Sequence, residues 1–167
     1  MQNKYLILLA CAALPLTALA ADFNGNWVRD NAKSDKEIYP LYWLTRGVDP
    51  NAGGGGGGGE FVITVRQDAT GLTVTDSLHP RRAYPLDGKP HTVTMDTGMA
   101  KSTVTAGVQG DTLVIGSVEP YGGMPGNATA TVKEVWSLSP DGKTLTIART
   151  RELPAAKQSS KEIYSRK

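Results

Sequence analysis

Cysteine and histidine are nearly missing from this sequence: Cys11, His79 and His91 are the only ones in 167 residues. With one cysteine no intrachain disulfide can form, so the fold must be held by core packing. Neither histidine lies in the close His/Asp/Glu spacing that metal sites use. Both adjoin prolines in turn-like sequence and read as solvent-facing loop residues. The G-x-S-x-G elbow of serine hydrolases is absent, and once Cys11 is set aside no thiol nucleophile remains. Asp96-Thr97-Gly98 has the triplet of aspartic proteases, but it occurs once, between two strand-like runs, and reads as a turn. Excess charge is also lacking. The formal net charge is +2, of which Lys4 supplies one, so neither nucleic acid nor an anionic membrane surface is expected as a partner. No motif calls for a cofactor or a metal.

Long apolar runs are confined to the first twenty residues. Lys4 precedes "YLILLACAALPLTALA", and Ala18-Leu19-Ala20 has the form of a cleavage signature. A cleaved leader at 1–20 is therefore expected, with a periplasmic or secreted product starting near Ala21. "LLAC" at Leu8 to Cys11 has the outline of a lipoprotein box, yet the run before it is very short, so acylation of Cys11 is not the expectation. No other stretch approaches the roughly 20 apolar residues of a spanning helix. Residues 21–167 fit one domain with a real core.

What the chain does contain, from Glu60 onward, is a succession of short alternating runs. "FVITVRQ", "LTVTDS", "HTVTMD", "STVTAGV", "TLVIGSV", "ATVKEVWSL", "TLTIART" and "EIYSR" are rich in Val, Ile and Thr and are separated by Gly and Asp turns. With "GNWVR" near the start and "RAYPL" in the middle they predict about ten strands. The expectation is an all-β, antiparallel up-and-down meander closing into a barrel. Three turns suggest registers. Around Pro140-Asp141-Gly142, Leu138 is set opposite Lys143, Trp136 opposite Leu145 and Glu134 opposite Ile147. A left-handed Gly71 sets Val65 opposite Val74. A two-residue loop at Gln109-Gly110 sets Ala106 opposite Leu113 and Val104 opposite Ile115. Each register gathers apolar residues on one face.

Residues 31–59 break the rhythm. "SDKEIYPLYWLTRG" clusters Tyr39, Tyr42 and Trp43 around Pro40, and "GGGGGGG" follows at Gly53 to Gly59. A phosphate loop needs a strand before the glycines and a helix after them, and usually a Lys-Ser/Thr ending. Here Glu60 and a strand follow, and polyglycine has the largest backbone entropy to lose. This segment is expected to be a disordered insert after the first strand. Its aromatic part would serve as a lid or simply pack over one barrel end.

Gly25-x-Trp27 on the first strand resembles the Gly-x-Trp signature of lipocalins and related calycins. Together with "AKS" at Ala32 to Ser34, the glycine-rich spacer, "SPDGKTLTI" and the final "IYSRK", most of the chain is similar to secreted bacterial lipocalin-like proteins. The resemblance implies that Trp27 closes one end of a barrel and that an Arg from the last strands packs across it. The Thr-Asp-Tyr motif and the disulfide of true lipocalins are absent.

The expected register brings Glu134, Arg149 and Arg151 onto the apolar face of neighbouring strands, with Arg149 opposite Val132 and diagonal to Glu134. Charges there are costly unless paired. Two accounts fit: Arg149 or Arg151 holds a ligand carboxylate bidentately, or one Arg packs over Trp27 while the other pairs with Glu134 or reaches solvent at the rim. Trp27, Trp136 and Tyr164 are the candidate cavity or end-closing residues. "EPYGGMPGN", Glu119 to Asn127, reads as a loop at the barrel mouth or a plain turn. The favoured role is non-catalytic binding of a small apolar, amphipathic or anionic ligand. A packed barrel serving as an envelope interaction protein, and a small enzyme using Glu134, Arg149 and Arg151, are the rivals.

Overall fold

The computed structural model describes residues 21–35, 60–76, 81–94, 101–120 and 129–167. All of its regular elements are strands: β1 (Gly25–Arg29), β2 (Val62–Gln67), β3 (Gly71–Asp76), β4 (Arg82–Pro85), β5 (His91–Thr94), β6 (Lys101–Gln109), β7 (Thr112–Pro120), β8 (Thr129–Leu138), β9 (Thr144–Leu153) and β10 (Ala156–Arg166). Each corresponds to one of the alternating runs. Among the described residues no helix is long and apolar enough to cross a membrane.

The strands form one antiparallel sheet in the order β4-β3-β2-β1-β10-β9-β8-β7-β6-β5. A meander whose first strand pairs with its last has curled on itself, and the sheet is a nearly closed barrel. The seam lies between β4 and β5, which occupy the two sheet edges. The turn joining them is pinned to β6 by the Gly88 N–H, which donates to the Ala106 carbonyl at 3.0 Å. Burial alternates with period two along β6 to β9, as a half-buried strand requires. The inward set forms the core, including Phe23, Trp27, Ile63, Leu72, Leu113, Ile115, Trp136, Leu145, Ile147 and Tyr164.

The turn-derived registers hold in one case and slip in two. Val65 faces Val74 as expected, although Gly71 is not among the glycines with positive φ. That turn is organised by the Asp68 carboxylate instead, which accepts from the N–H groups of Thr70 and Gly71. In the β8–β9 hairpin Leu138 faces Leu145, Trp136 faces Ile147 and Glu134 faces Arg149, two residues away from the expected pairing. The cause is Lys143. Its N–H is held by Asp141 Oδ1 at 3.1 Å, so it stays in the turn, and the ladder closes through the Ser139 N–H to the Thr144 carbonyl at 2.9 Å. In the β6–β7 hairpin the loop is Gly110-Asp111, which puts Ala106 opposite Ile115 and Val108 opposite Leu113. Gly110, with φ 63°, takes the first loop position rather than the second. Both slips are even, so every side chain keeps its face and only its partner changes.

Residues 31–35, assigned to the insert by sequence, continue the line of β1 along β10. Ser34 Oγ accepts from the Ile163 N–H at 2.9 Å, and Asp35 Oδ2 accepts from the Lys161 N–H at 2.6 Å. The aromatic and glycine-rich part of the insert, the leader with Cys11, His79 and the Asp96-Thr97-Gly98 triplet lie outside the described residues.

Candidate functional site

The meander sorts the connections onto two barrel ends. At one end the chain turns tightly, through 68–70, 86–90, 110–111 and 139–143. At the other, β9 turns into β10 through 154–155, and the remaining connections run largely through residues outside the described ones.

The tight end is closed by Trp27. It is fully buried, and its Nε1–H donates to the Phe23 carbonyl at 3.0 Å. The Arg166 guanidinium lies 4.3 Å from the Trp27 ring centroid, a distance at which the ring quadrupole attracts a cation. Arg166 also donates to the carbonyls of Gly142, Asn24 and Asp22, tying residues 22–24 and the end of β10 to the β8–β9 turn. Gly25 is required here. Its φ of 142° suits few L residues, and a Cβ would stand 3.2 Å from Arg166 Nη1. The Arg that covers the Trp is therefore Arg166, not Arg149 or Arg151, because the register of β1 on β10 places Arg166 directly opposite Trp27.

One layer further in lies a buried ionic network. Arg149 Nε donates to Glu134 Oε1 at 2.8 Å and its Nη1 to Glu162 Oε1 at 2.7 Å. Trp136 Nε1 donates to Glu134 Oε2 at 2.9 Å, and the Tyr164 hydroxyl to Glu162 Oε2 at 2.7 Å. All four carboxylate oxygens thus accept a bond, the condition on which charge survives in a low-dielectric interior. Burial, reinforced by the Glu162 carboxylate, holds the Tyr164 hydroxyl well above its ordinary pKa and keeps it a neutral donor. Phe23 meets the Trp136 ring edge-on, with centroids 6.3 Å apart, and couples this layer to the closed end.

Four of the residues singled out by sequence, Glu134, Trp136, Arg149 and Tyr164, therefore belong to one network. Glu162, which faces inward two residues before Tyr164 on β10, escapes the sequence reading. The alternation of β10 is the signal that finds it, since Ser160, Glu162 and Tyr164 share the buried face while Lys161 and Ser165 are exposed. Glu134 is fully buried with both oxygens engaged, so it offers no acid or base to a substrate in this arrangement.

Toward the other end the inward positions change character. Ser102 and Val104 on β6, Ser117 on β7 and Ala130 and Val132 on β8 are small and buried, and Ser160 on β10, also small and buried, stands directly opposite Arg149. Among them stand Arg29, Arg151 and Glu119, also buried, with Arg82 at the start of β4 beside the seam, while Tyr84, directly opposite Leu72, lies nearer the tight turns. Arg29 donates to Asn31 Oδ1 at 2.6 Å and to the Asp35 carbonyl at 2.8 Å, which fixes the 31–35 turn. Arg151 faces Val132 on one side and Gln158 on the other. The Ser160 Oγ is buried with no hydrogen-bond partner among the described residues. Glu119, expected in a loop, is part of β7 because Leu113, Ile115 and Ser117 carry the alternation on to it. Its Oε1 accepts from Ser117 Oγ at 2.8 Å. Burial pushes its pKa up to about 7, against the lowering pull of Ser117, Arg151 and Arg82, while Glu134 adds to the rise. Burial likewise raises the Tyr84 hydroxyl, with the Glu134 charge next.

His91 opens β5 rather than lying in a loop, and its Nε2 is 2.9 Å from Asp87 Oδ1 on the partly exposed seam turn.

The fold is thus a ten-stranded antiparallel barrel, open along one seam and closed at its tight end by a Trp–Arg stack. Among solved structures it is similar to the crystal structure of zebrafish ileal bile acid-binding protein complexed with cholic acid, with TM-score 0.53 and 15% identity, covering 87% of this chain and 98% of that one. At that identity the likeness is one of fold. No protein-family model matches the sequence, and no curated protein matches it.

Proposed function

We propose that this protein is an exported, non-catalytic carrier that binds a small amphipathic ligand in the half of the barrel away from Trp27. The observation that carries the reading is the change of inward side chains along the barrel axis. Near Trp27 the interior is taken up by Phe23, Leu72, Leu113, Trp136 and Leu145. Beyond the Glu134–Arg149–Glu162 layer small residues predominate, mixed with a few polar groups that can orient a ligand, the usual make-up of a small-molecule site. The similar zebrafish barrel is complexed with cholic acid, an amphipathic molecule, which agrees with this reading.

Arg151 and Ser160 are the proposed polar contacts, with Val132 as apolar wall. Trp136, Tyr164, Glu134 and Arg149 form the floor, and Trp27 the sealed base. Native mass spectrometry of residues 21–167, purified gently from the envelope of the source cell, tests the reading. A discrete added mass, lost on denaturation and diminished by Arg151→Ala, is the expected result. A clean chain mass, with no uptake of an added amphiphile, overturns it. Arg149→Ala is unsuitable, since it strands two buried carboxylates. Recovery of the chain from cytoplasm, with residues 1–20 still attached, would contradict export.

A second reading has one observation in its favour. Trp27, Trp136, Arg149 and Tyr164 are all fully buried in the interior, as in a solid barrel that works through its outer wall. Uptake of a ligand mass separates the two.

A further inference from the structure

We propose that the ligand is a monoanionic amphiphile and that its capture is coupled to protonation of Glu119. This rests on the carrier reading and specifies the chemistry of the same site. Glu119 is surrounded by groups from several elements. Ser117 on its own strand donates to it. Arg151 on β9 and Arg82 on β4 act on it as cations, Glu134 on β8 as an anion, and Tyr84 shares its field. From β6, Ser102 comes beside it, one step beyond the Thr103–Val118 pair.

An anionic headgroup entering this half meets two guanidiniums. Each has five N–H donors, so each can keep a protein partner and still bind a ligand oxygen. The obstacle is the Glu119 carboxylate. A second negative charge brought against a buried carboxylate is repelled, and the low effective dielectric there screens little of it. Placing a proton on Glu119 removes that repulsion, and the neutral carboxyl becomes a hydrogen-bond donor. The same burial that brings its titration to about 7 makes this proton easy to acquire near neutrality. The balance is simple: one anion and one proton enter together, and no covalent bond to the ligand is made or broken.

The linkage has a definite sign. A ligand that binds only when Glu119 is protonated loses affinity as pH rises above about 7, approaching tenfold per pH unit. A neutral ligand of the same shape does not.

Two fluorescent probes sharing one skeleton make the test: 1-anilinonaphthalene-8-sulfonate, which stays anionic throughout, and N-phenyl-1-naphthylamine, which lacks the sulfonate. For the parent chain, the affinity for the sulfonate is expected to fall on the order of tenfold between pH 6.5 and pH 8.5, while that for the neutral dye stays level. Glu119→Gln should bind the sulfonate at pH 8.5 as the parent does at pH 6.5. If that variant fails to fold, titration calorimetry of the parent in buffers of different ionisation enthalpy replaces it. Uptake of about one proton per sulfonate at pH 8 is then expected. A level sulfonate profile, a pH dependence that persists in Glu119→Gln, or binding without proton uptake overturns the proposal. Binding of the neutral dye in any of those cases leaves the carrier reading standing. Failure of both dyes to bind removes both.

Discussion

The two halves of this barrel solve opposite problems with the same strands. The half around Trp27 is a plug. Its inward residues are large, and Arg166 lies over the Trp27 ring with its hydrogens on backbone carbonyls. The other half carries small inward residues and holds Arg29, Arg82, Arg151 and Glu119 in or near the interior. A charge at the rim of a plug is nearly free; a charge inside a barrel requires partners or a purpose. The Glu134–Arg149–Glu162 layer is the boundary between the halves. Its carboxylates are satisfied within the layer, so the polarity above it calls for another explanation.

The sharpest way to break this comparison is to remove the boundary. Arg149→Met leaves Glu134 and Glu162 buried without their shared cation. We expect a loss of about 3–5 kcal/mol in urea unfolding, the usual result of breaking a buried ion pair from one side. Combining it with Glu134→Gln and Glu162→Gln should recover much of that loss, because no uncompensated charge remains. If the single variant unfolds no more easily than the parent, the network does not separate the halves as described.

Next in size is a pH effect confined to the polar half. Glu119 titrates higher folded than unfolded, so its protonated form is favoured by folding. Its contribution is fully present below the ordinary glutamate pKa and is lost as pH rises from there through about 7. The size follows from a shift from 4.5 to about 7, at most about 3 kcal/mol. Glu119→Gln should therefore unfold like the parent near pH 4 and be the more stable chain at pH 8. Equal stability curves would mean that Glu119 is not held as its surroundings imply.

A smaller, pH-independent loss is expected at the plug. Arg166→Ala removes the cation over Trp27 and three bonds to backbone carbonyls at the exposed rim. About 1–2 kcal/mol should go, equally at pH 5 and pH 9, since a guanidinium does not titrate in that range. Dye binding should be unaffected if the ligand sits in the other half.

Much of this arrangement is legible in the chain. The alternating runs locate every described strand, and Gly25-x-Trp27 announces the plug. The site reads less well, and for a definite reason. Lys143 looks like a strand residue, but Asp141 holds it in the turn, and that one residue moves Arg149 from Val132 to Glu134. Alternation preserves the face through such a slip, so the inward set comes out right while the pairs do not. Glu119 and Glu162 escape for another reason. A glutamate next to Pro120 suggests a loop, and one next to Lys161 suggests an exposed salt bridge. Only strict period-two counting along β7 and β10 turns them inward. The partner of Trp27 is anticipated as an Arg of the last strands, but Arg166 is easily passed over because it lies one residue from the terminus.

The smallest effect bears most directly on what the polar half is for. Ser160 Oγ is buried and makes no hydrogen bond among the described residues, a state that costs about 1–3 kcal/mol unless something else supplies a partner. In the ligand-free protein Ser160→Ala should then be neutral or slightly stabilising, within about 0.5 kcal/mol, because it deletes an unsatisfied group and little packing. If the hydroxyl exists to meet a ligand, the same change should weaken capture of the anilinonaphthalene sulfonate severalfold at pH 6.5, with stability untouched. A fall in stability of more than about 1 kcal/mol would instead place the hydroxyl's partner within the chain itself. In that case Ser160, directly opposite Arg149 on the neighbouring strand, belongs with that network rather than with the ligand site.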